Sequence, residues 1–156
     1  MKKCLICSNK FNPFVDFGSM PIANAFSTKK ELENEYFFPM QVGFCETCKM
    51  VQLLEQPDRE KMFHDSYAFF SSTSNYMINH FKKFANSVSS LQNLSKKSFV
   101  VEIGSNDGIM LQNFVSDNIP CLGVEPSKNV AHVAMERGIE VTTEFFDRPL
   151  AEKISK

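Results

Sequence analysis

Apolar and polar positions change rhythm three times along the chain. Near the start, Gln41–Phe44 and Met50–Leu54 are short apolar runs on either side of Cys45-Glu-Thr-Cys48, and they predict two strands flanking a tight turn. Ahead of them, Asn12-Pro13, Phe17-Gly18 and Met20-Pro21 punctuate extended or turning chain. The middle switches to helical spacing. Met77, Phe81, Phe84, Val88 and Leu91 recur at intervals of four and three, a continuous stripe expected in the core of a helix that Ser74 or Asn75 caps. His80 adjoins that stripe and reads as a structural residue.

The last third alternates. Ser98–Ile103 is a β-branched, apolar run and predicts a buried strand. Gly104-Ser105-Asn106-Asp107-Gly108 follows as a turn, and Ile109–Val115 reads as a helix. A second strand, Cys121–Val124, ends at Glu125, and Pro126-Ser127 opens a helix over Asn129–Met135 that Gly138 stops. Ile139–Thr142 predicts a third strand, and Asp147, with Pro149 two positions on, caps a final helix. Strand–helix alternation of this kind implies a parallel sheet and an α/β module.

Charge sharpens the division. Residues 1–66 sum to -1, 67–97 carry four lysines and no acid, and 98–156 sum to -4. With the Ser/Asn/Lys-rich stretch before Phe99, this predicts three segments: a domain over 1–66, a helical connector over 67–97 and an α/β module over 98–156. A net charge of -1 argues against a general nucleic-acid binder, and the first 66 residues show no basic stripe. No apolar run reaches the ~18 residues of a membrane span, and the Met1-Lys2-Lys3-Cys4 start lacks a signal peptide, so the expected address is cytoplasmic.

Four of the five cysteines form two C-x-x-C pairs, Cys4/Cys7 and Cys45/Cys48. A two-residue gap lets a tight turn aim both sulfurs at one point, so two pairs make a tetrahedral, closed, structural zinc site. The 37 residues between the pairs exceed the usual ribbon spacing. Disulfides are disfavoured without a secretion signal, and neither pair sits in a thioredoxin-like βαβ. An iron–sulfur cluster takes the same four thiolates and stays the alternative. Cys121, in an apolar run, reads as a buried core residue.

Strand, glycine turn and helix also suggest a nucleotide-type site. Gly104 permits a sharp turn and close approach of a ligand; Gly108 lets the helix start hard against the strand. Glu125 stands 21 residues after Gly104, where a doubly wound sheet places the acid that accepts ribose hydroxyls. Asn106 takes the place of the second glycine of G-x-G-x-x-G, and with Asp107 it narrows and acidifies the turn. A phosphate is then disfavoured and a ligand with an amino group and a sulfonium favoured, which points to S-adenosylmethionine (SAM).

The ordered set of motifs resembles bacterial SAM-dependent C-methyltransferases of deoxysugar biosynthesis that carry an N-terminal zinc-binding domain. It comprises the cysteine pairs, Pro21–Asn24, Val51–Leu53, Ser71–Ser74, Val101–Gly108, Gly123–Ser127 and Phe145-Phe146. The resemblance implies an N-terminal zinc-ribbon-like domain and the start of a Rossmann-like class I methyltransferase fold. It implies SAM contacts at Glu102, Gly104, Ser105, Asn106, Asp107, Gly108, Glu125 and Pro126. In the connector the family tends to read Tyr-x-Tyr-x-Ser-Ser; here Phe69 and Phe70 replace polar positions, and Tyr67 alone carries over as a catalytic hydroxyl.

Family members run to more than twice this length, and their Tyr-x-Glu-His stretch falls beyond residue 156. The expected function is methyl transfer from SAM to a carbon of a nucleotide-linked keto-deoxysugar, with the base outside this chain and no nucleic acid or membrane partner. The expectation is of a fragment of a longer product, half of a split enzyme completed by a second chain, or a decayed gene. The competing readings are a non-catalytic zinc-binding assembly module and an O- or N-methyltransferase.

Overall fold

A computed structural model describes residues 2–23 and 26–156. Met1, Asn24 and Ala25 lie outside the described residues, and with them the last position of the Pro21–Asn24 motif and the first of the chain start. The chain divides into two compact units, residues 1–62 and 63–156, so the connector helix belongs to the second.

The first unit is built on a three-stranded antiparallel sheet in the order β1-β2-β3, with β1 Asn12–Pro21, β2 Phe37–Phe44 and β3 Val51–Leu53. β2 and β3 are the strands that flank the second cysteine pair, as the apolar runs predict. β1 turns the punctuated segment into one long strand whose register with β2 shifts between Pro13 and Val15 and again between Asp16 and Ser19. Gly18 supplies the second irregularity with a φ of +73°, a conformation glycine adopts without steric cost. Glycine at 43 has a packing cause instead. A Cβ there would strike the Phe11 ring and come within 2.8 Å of Leu54 Cδ1. Phe11, Cys4 and Cys45 are the buried cluster of this unit, with Cys7, Cys48 and Leu54 packed on it. A one-turn helix, α1 (Arg59–Met62), closes the unit.

The second unit opens with α2, Asn75–Leu91, capped by Ser74, whose Oγ accepts from Met77 N at 3.4 Å. Three parallel strands follow in the order β4-β5-β6: β4 Val100–Ile103, β5 Cys121–Val124 and β6 Glu140–Thr142. Helices α3 (Leu111–Ser116), α4 (Lys128–Glu136) and α5 (Arg148–Ile154) come after β4, β5 and β6 in turn. Asp147 Oδ1 accepts from Leu150 N at 3.0 Å, so the expected cap of α5 is present. The core joins Leu111 and Phe114 of α3, Ala134 of α4, Ile119, Ile139 and Ala85 of α2. Val100, Cys121 and Val141 reach it from neighbouring strands, so the helices that bury this core cover one face of the sheet.

Two expectations are corrected here. The α2 stripe is not core throughout: Phe84 is 50% exposed and Leu91 74%, while Met77, Phe81 and Val88 are half-buried. Ala85 is the buried residue of the helix. A short side chain allows α2 and α3 to approach, and the contact line therefore runs one residue round from the large apolar positions. Cys121 packs against the core yet stays half-buried, because β5 begins at the open lower edge of the sheet beside Phe99, Pro120 and Gly138. The opposite side of β4 is bare: Phe99, Val101 and Ile103 are exposed.

Candidate functional site

The cysteine pairs form two knuckles with one hydrogen-bond pattern. Cys4 N donates to Asn9 O at 2.8 Å and Ser8 N to Cys4 O at 2.8 Å; Cys45 N donates to Met50 O at 2.9 Å and Lys49 N to Cys45 O at 2.8 Å. Ser8 and Lys49, each just past a second cysteine, hold positive φ of 59° and 64°. The repeat aims four sulfurs inward. All four Sγ atoms lie within 4.8 Å of one another, with Cys4–Cys48 and Cys7–Cys45 each at 3.5 Å. A tetrahedral ion with Zn–S bonds of about 2.3 Å requires sulfur–sulfur edges of about 3.8 Å, so the set fits a single zinc. Sulfurs this close leave no room for the irons and bridging sulfides of a cluster.

Donors around the first pair favour its thiolates. The Cys7 backbone N–H, and less strongly the Ile6 N–H, hold the Cys4 pKa down to about 6 against burial. At Cys48 the Met50 N–H is outweighed by burial and the three neighbouring sulfurs, which push that thiol up to about 12. Asn9 Nδ2 donates to Cys7 Sγ at 3.4 Å, and Asn9 keeps that thiol below its ordinary value. Gln52 does two jobs: its Nε2 donates to Cys4 Sγ at 3.1 Å, and its Oε1 accepts from Leu5 N at 3.1 Å. It therefore ties β3 to the first knuckle, a role that the Val51–Leu53 motif alone does not disclose.

The second cluster gathers at the C-terminal ends of β4 and β5. Gly104, Asn106 and Gly108 all have positive φ (74°, 49° and 77°), and asparagine is among the few residues that tolerate this region. Replacement of the second glycine by Asn106 thus leaves the turn's conformation intact. A Cβ on Gly104 would meet nothing within 4 Å, so that stretch of backbone is open to a ligand. A Cβ on Gly108 would strike Ile139 Cδ1 and lie 3.1 Å from Ala134 Cβ, so Gly108 serves packing. Gly123, one strand over, lets Ser105 lie flat on β5, since a Cβ would sit 2.5 Å from Ser105 Oγ.

Glu125 is 5% exposed at the end of β5. Its Oε2 accepts from Asn106 N at 3.0 Å and its Oε1 from Ser127 N at 2.9 Å. Each carboxylate oxygen keeps a further lone pair, so the group holds the loop and still has acceptor capacity. Pro126 is half-buried between Glu125 and Ser127. Glu102 sits deeper: pairing of Val100 with Cys121 and Glu102 with Gly123 puts it on the sheet face covered by the helices. Burial, and then the Asp107 charge, push its carboxyl up to about 7, and its Oε2 is buried without a partner.

The connector meets this loop, a juxtaposition the sequence reading leaves open. Asn106 Oδ1 accepts from Ser71 N at 2.8 Å, and its Nδ2 donates to Phe69 O at 3.0 Å. Asp107 Oδ2 accepts from Ser72 N at 3.0 Å and from the Ser72 hydroxyl. Asp107 is 1% exposed and faces Arg137, so it does not present the bare negative charge expected of it. Tyr67 is half-buried; its ring centroid lies 5.7 Å from that of Phe63, and its carbonyl accepts from Asn129 Nδ2 at 2.8 Å. Arg137, which caps the C-terminal end of α4, and Asn129, in its first turn, are residues that sequence reasoning missed, because their partners lie between 30 and 65 positions away.

The donor set suits a polar organic ligand. Ser105 Oγ, Ser127 Oγ and Asn129 Oδ1 are buried and without hydrogen-bond partners, all on the segments after β4 and β5. With the open Gly104 backbone and Glu125, the residues fit SAM.

Comparison with known proteins bears on the first cluster and on the chain as a whole. Residues 4–63 match the family model described as "Putative zinc binding domain". The chain is also 29% identical over 155 residues to a C-methyltransferase, NovU, from Streptomyces niveus. That alignment takes in 98% of this chain and 37% of the relative, so the chain spans a little over a third of that protein's length.

Proposed function

We propose that this chain is the zinc-bearing, cofactor-holding front part of a SAM-dependent C-methyltransferase, acting on a nucleotide-linked keto-deoxysugar. The observation that carries the reading is the pairing of an open Gly104 backbone with a buried Glu125 at the ends of adjacent parallel strands, the crevice where such sheets bind ligands. The module is then the beginning of a Rossmann-like methyltransferase fold. The relative's printed activity, C-methyl transfer, supports the choice of carbon as acceptor.

Bound SAM supplies an electrophilic methyl on a sulfonium. This chain's residues bind and orient it. Gly104–Gly108 line the methionine portion, and Glu125 accepts from the ribose hydroxyls with its remaining lone pairs. Ser127 and Asn129 offer unpartnered oxygens beside them. Tyr67 presents its hydroxyl near the acceptor sugar, and the base that removes the proton beside the ketone comes from outside these 156 residues. Zinc stays structural, since four thiolates leave no open position.

Calorimetric titration of the full-length protein with SAM tests the reading. Loss of hydrogen bonds to a charged group costs about 1.5–3 kcal/mol, so Glu125→Ala is expected to weaken binding roughly 10- to 100-fold with zinc content unchanged. Parent-like affinity in that variant would remove Glu125 from the cofactor site.

A further inference from the structure

Arg137, the residue that ends α4, reaches across to two segments remote in sequence. Its Nη1 donates to Asp107 O at 2.7 Å, and its Nη2 donates to Ser72 Oγ at 2.8 Å. The Ser72 hydroxyl in turn donates to Asp107 Oδ2, which also accepts from Ser72 N at 3.0 Å. Arg137 Nη1 stands 3.7 Å from Asp107 Oδ1, closing the ring of contacts. A carboxylate that is 1% exposed needs compensating charge and donors, and Arg137 with Ser72 supplies both.

Asn106 extends the connection. Its side chain grips Phe69 and Ser71, while its backbone N–H donates to Glu125. Connector, glycine loop and Glu125 are therefore one hydrogen-bonded system. Asp107 spends its oxygen on Ser72, and the same loop leaves Gly104 open on its other flank.

We propose that Ser72, Asp107 and Arg137 form a lock that fixes the 69–73 segment to the glycine loop and thereby presets the cofactor site. This rests on the SAM reading above. Asp107 and Arg137 are then positioning residues, acting through Ser72 and the loop, and Asp107 is not itself a cofactor ligand. Holding the loop in its bound shape spares the ligand the cost of ordering it, which raises affinity without a direct contact.

Hydrogen–deuterium exchange and SAM titration on the full chain test this together, in Arg137→Met and in Ser72→Ala, which keeps the Asp107–Arg137 pair. Both variants are expected to speed exchange at amides 69–73 selectively, with β4–β6 protection and zinc content kept, and to weaken SAM binding about tenfold. The double variant Asp107→Asn/Arg137→Met, which removes the buried charge along with its partner, is expected to recover part of the affinity lost in Arg137→Met. Unchanged exchange at 69–73 in both single variants would overturn the lock. Equal acceleration across β4–β6 would make the residues merely stabilising and overturn it as well. If the parent binds no SAM, the cofactor reading and the positioning role both fail, whereas exchange at 69–73 still decides the lock.

Discussion

At the scale of single residues, the two carboxylates flanking the glycine loop show how position sets role. Glu125 is buried but met by two backbone N–H groups, while Glu102 is buried with one oxygen unmet. Glu102 is pushed up, to about 7 against an ordinary 4.5, by burial first and Asp107 second. Between those two pH values the folded chain holds a proton that the unfolded chain releases. Stability therefore falls as pH rises through this window and levels off above 7, a loss on the order of 3 kcal/mol. Glu102→Gln is expected to flatten the difference between urea unfolding at pH 5 and at pH 8; an undiminished difference would place the titration elsewhere. Glu144, Asp16 and Glu31, all held below their ordinary values, act only at lower pH. The paired cysteines and the Asp147 cap were legible in the sequence because each depends on near neighbours in the chain. Arg137 was not, since its partners lie 30 and 65 positions away.

Elements were legible where their periodicity answers to one neighbour. β4 and β5 read as apolar runs and pair in parallel as expected, but the burial predicted for β4 is not met: with helices on one face only, Val101 and Ile103 are exposed on the other. α2 was legible in extent but not in facing, since large apolar residues mark where a helix can bury surface and small ones mark where another helix comes close. β1 was hidden by its own Gly and Pro, which the bulged register accommodates. The glycines of the loop separate packing from ligand approach. Gly108→Ala adds a Cβ against Ile139 and Ala134 and puts alanine at positive φ, so a loss of about 2–4 kcal/mol is expected in thermal or urea unfolding. Gly104→Ala meets no neighbour and should cost only about 1–2 kcal/mol for its φ, yet SAM affinity should drop steeply. If Gly104→Ala kept full affinity, the ligand would not approach along that backbone.

At the scale of the whole molecule, the two units are held by different means. The first buries little beyond Cys4, Phe11, Phe38 and Cys45 and leaves Phe14, Phe17 and Phe26 exposed, so metal binding must supply much of its folding energy. A chelator, or Cys45→Ser, is expected to release one zinc per chain and unfold residues 1–62 while β4–β6 stay protected from exchange; Cys121→Ser should leave zinc content unchanged. The second unit has a sizeable core, and on β4 it also exposes Phe99, Val101 and Ile103. No helix is long and apolar enough to cross a membrane among the described residues. The central claim, that the glycine loop and Glu125 receive SAM, is tested most directly by titrating the isotopically labelled chain with SAM and following its backbone amide resonances. Movement confined to residues 104–108 and 125–129, saturating at millimolar concentration or below, is the expected result. Silent amides in those two segments, or shifts concentrated elsewhere, would contradict it.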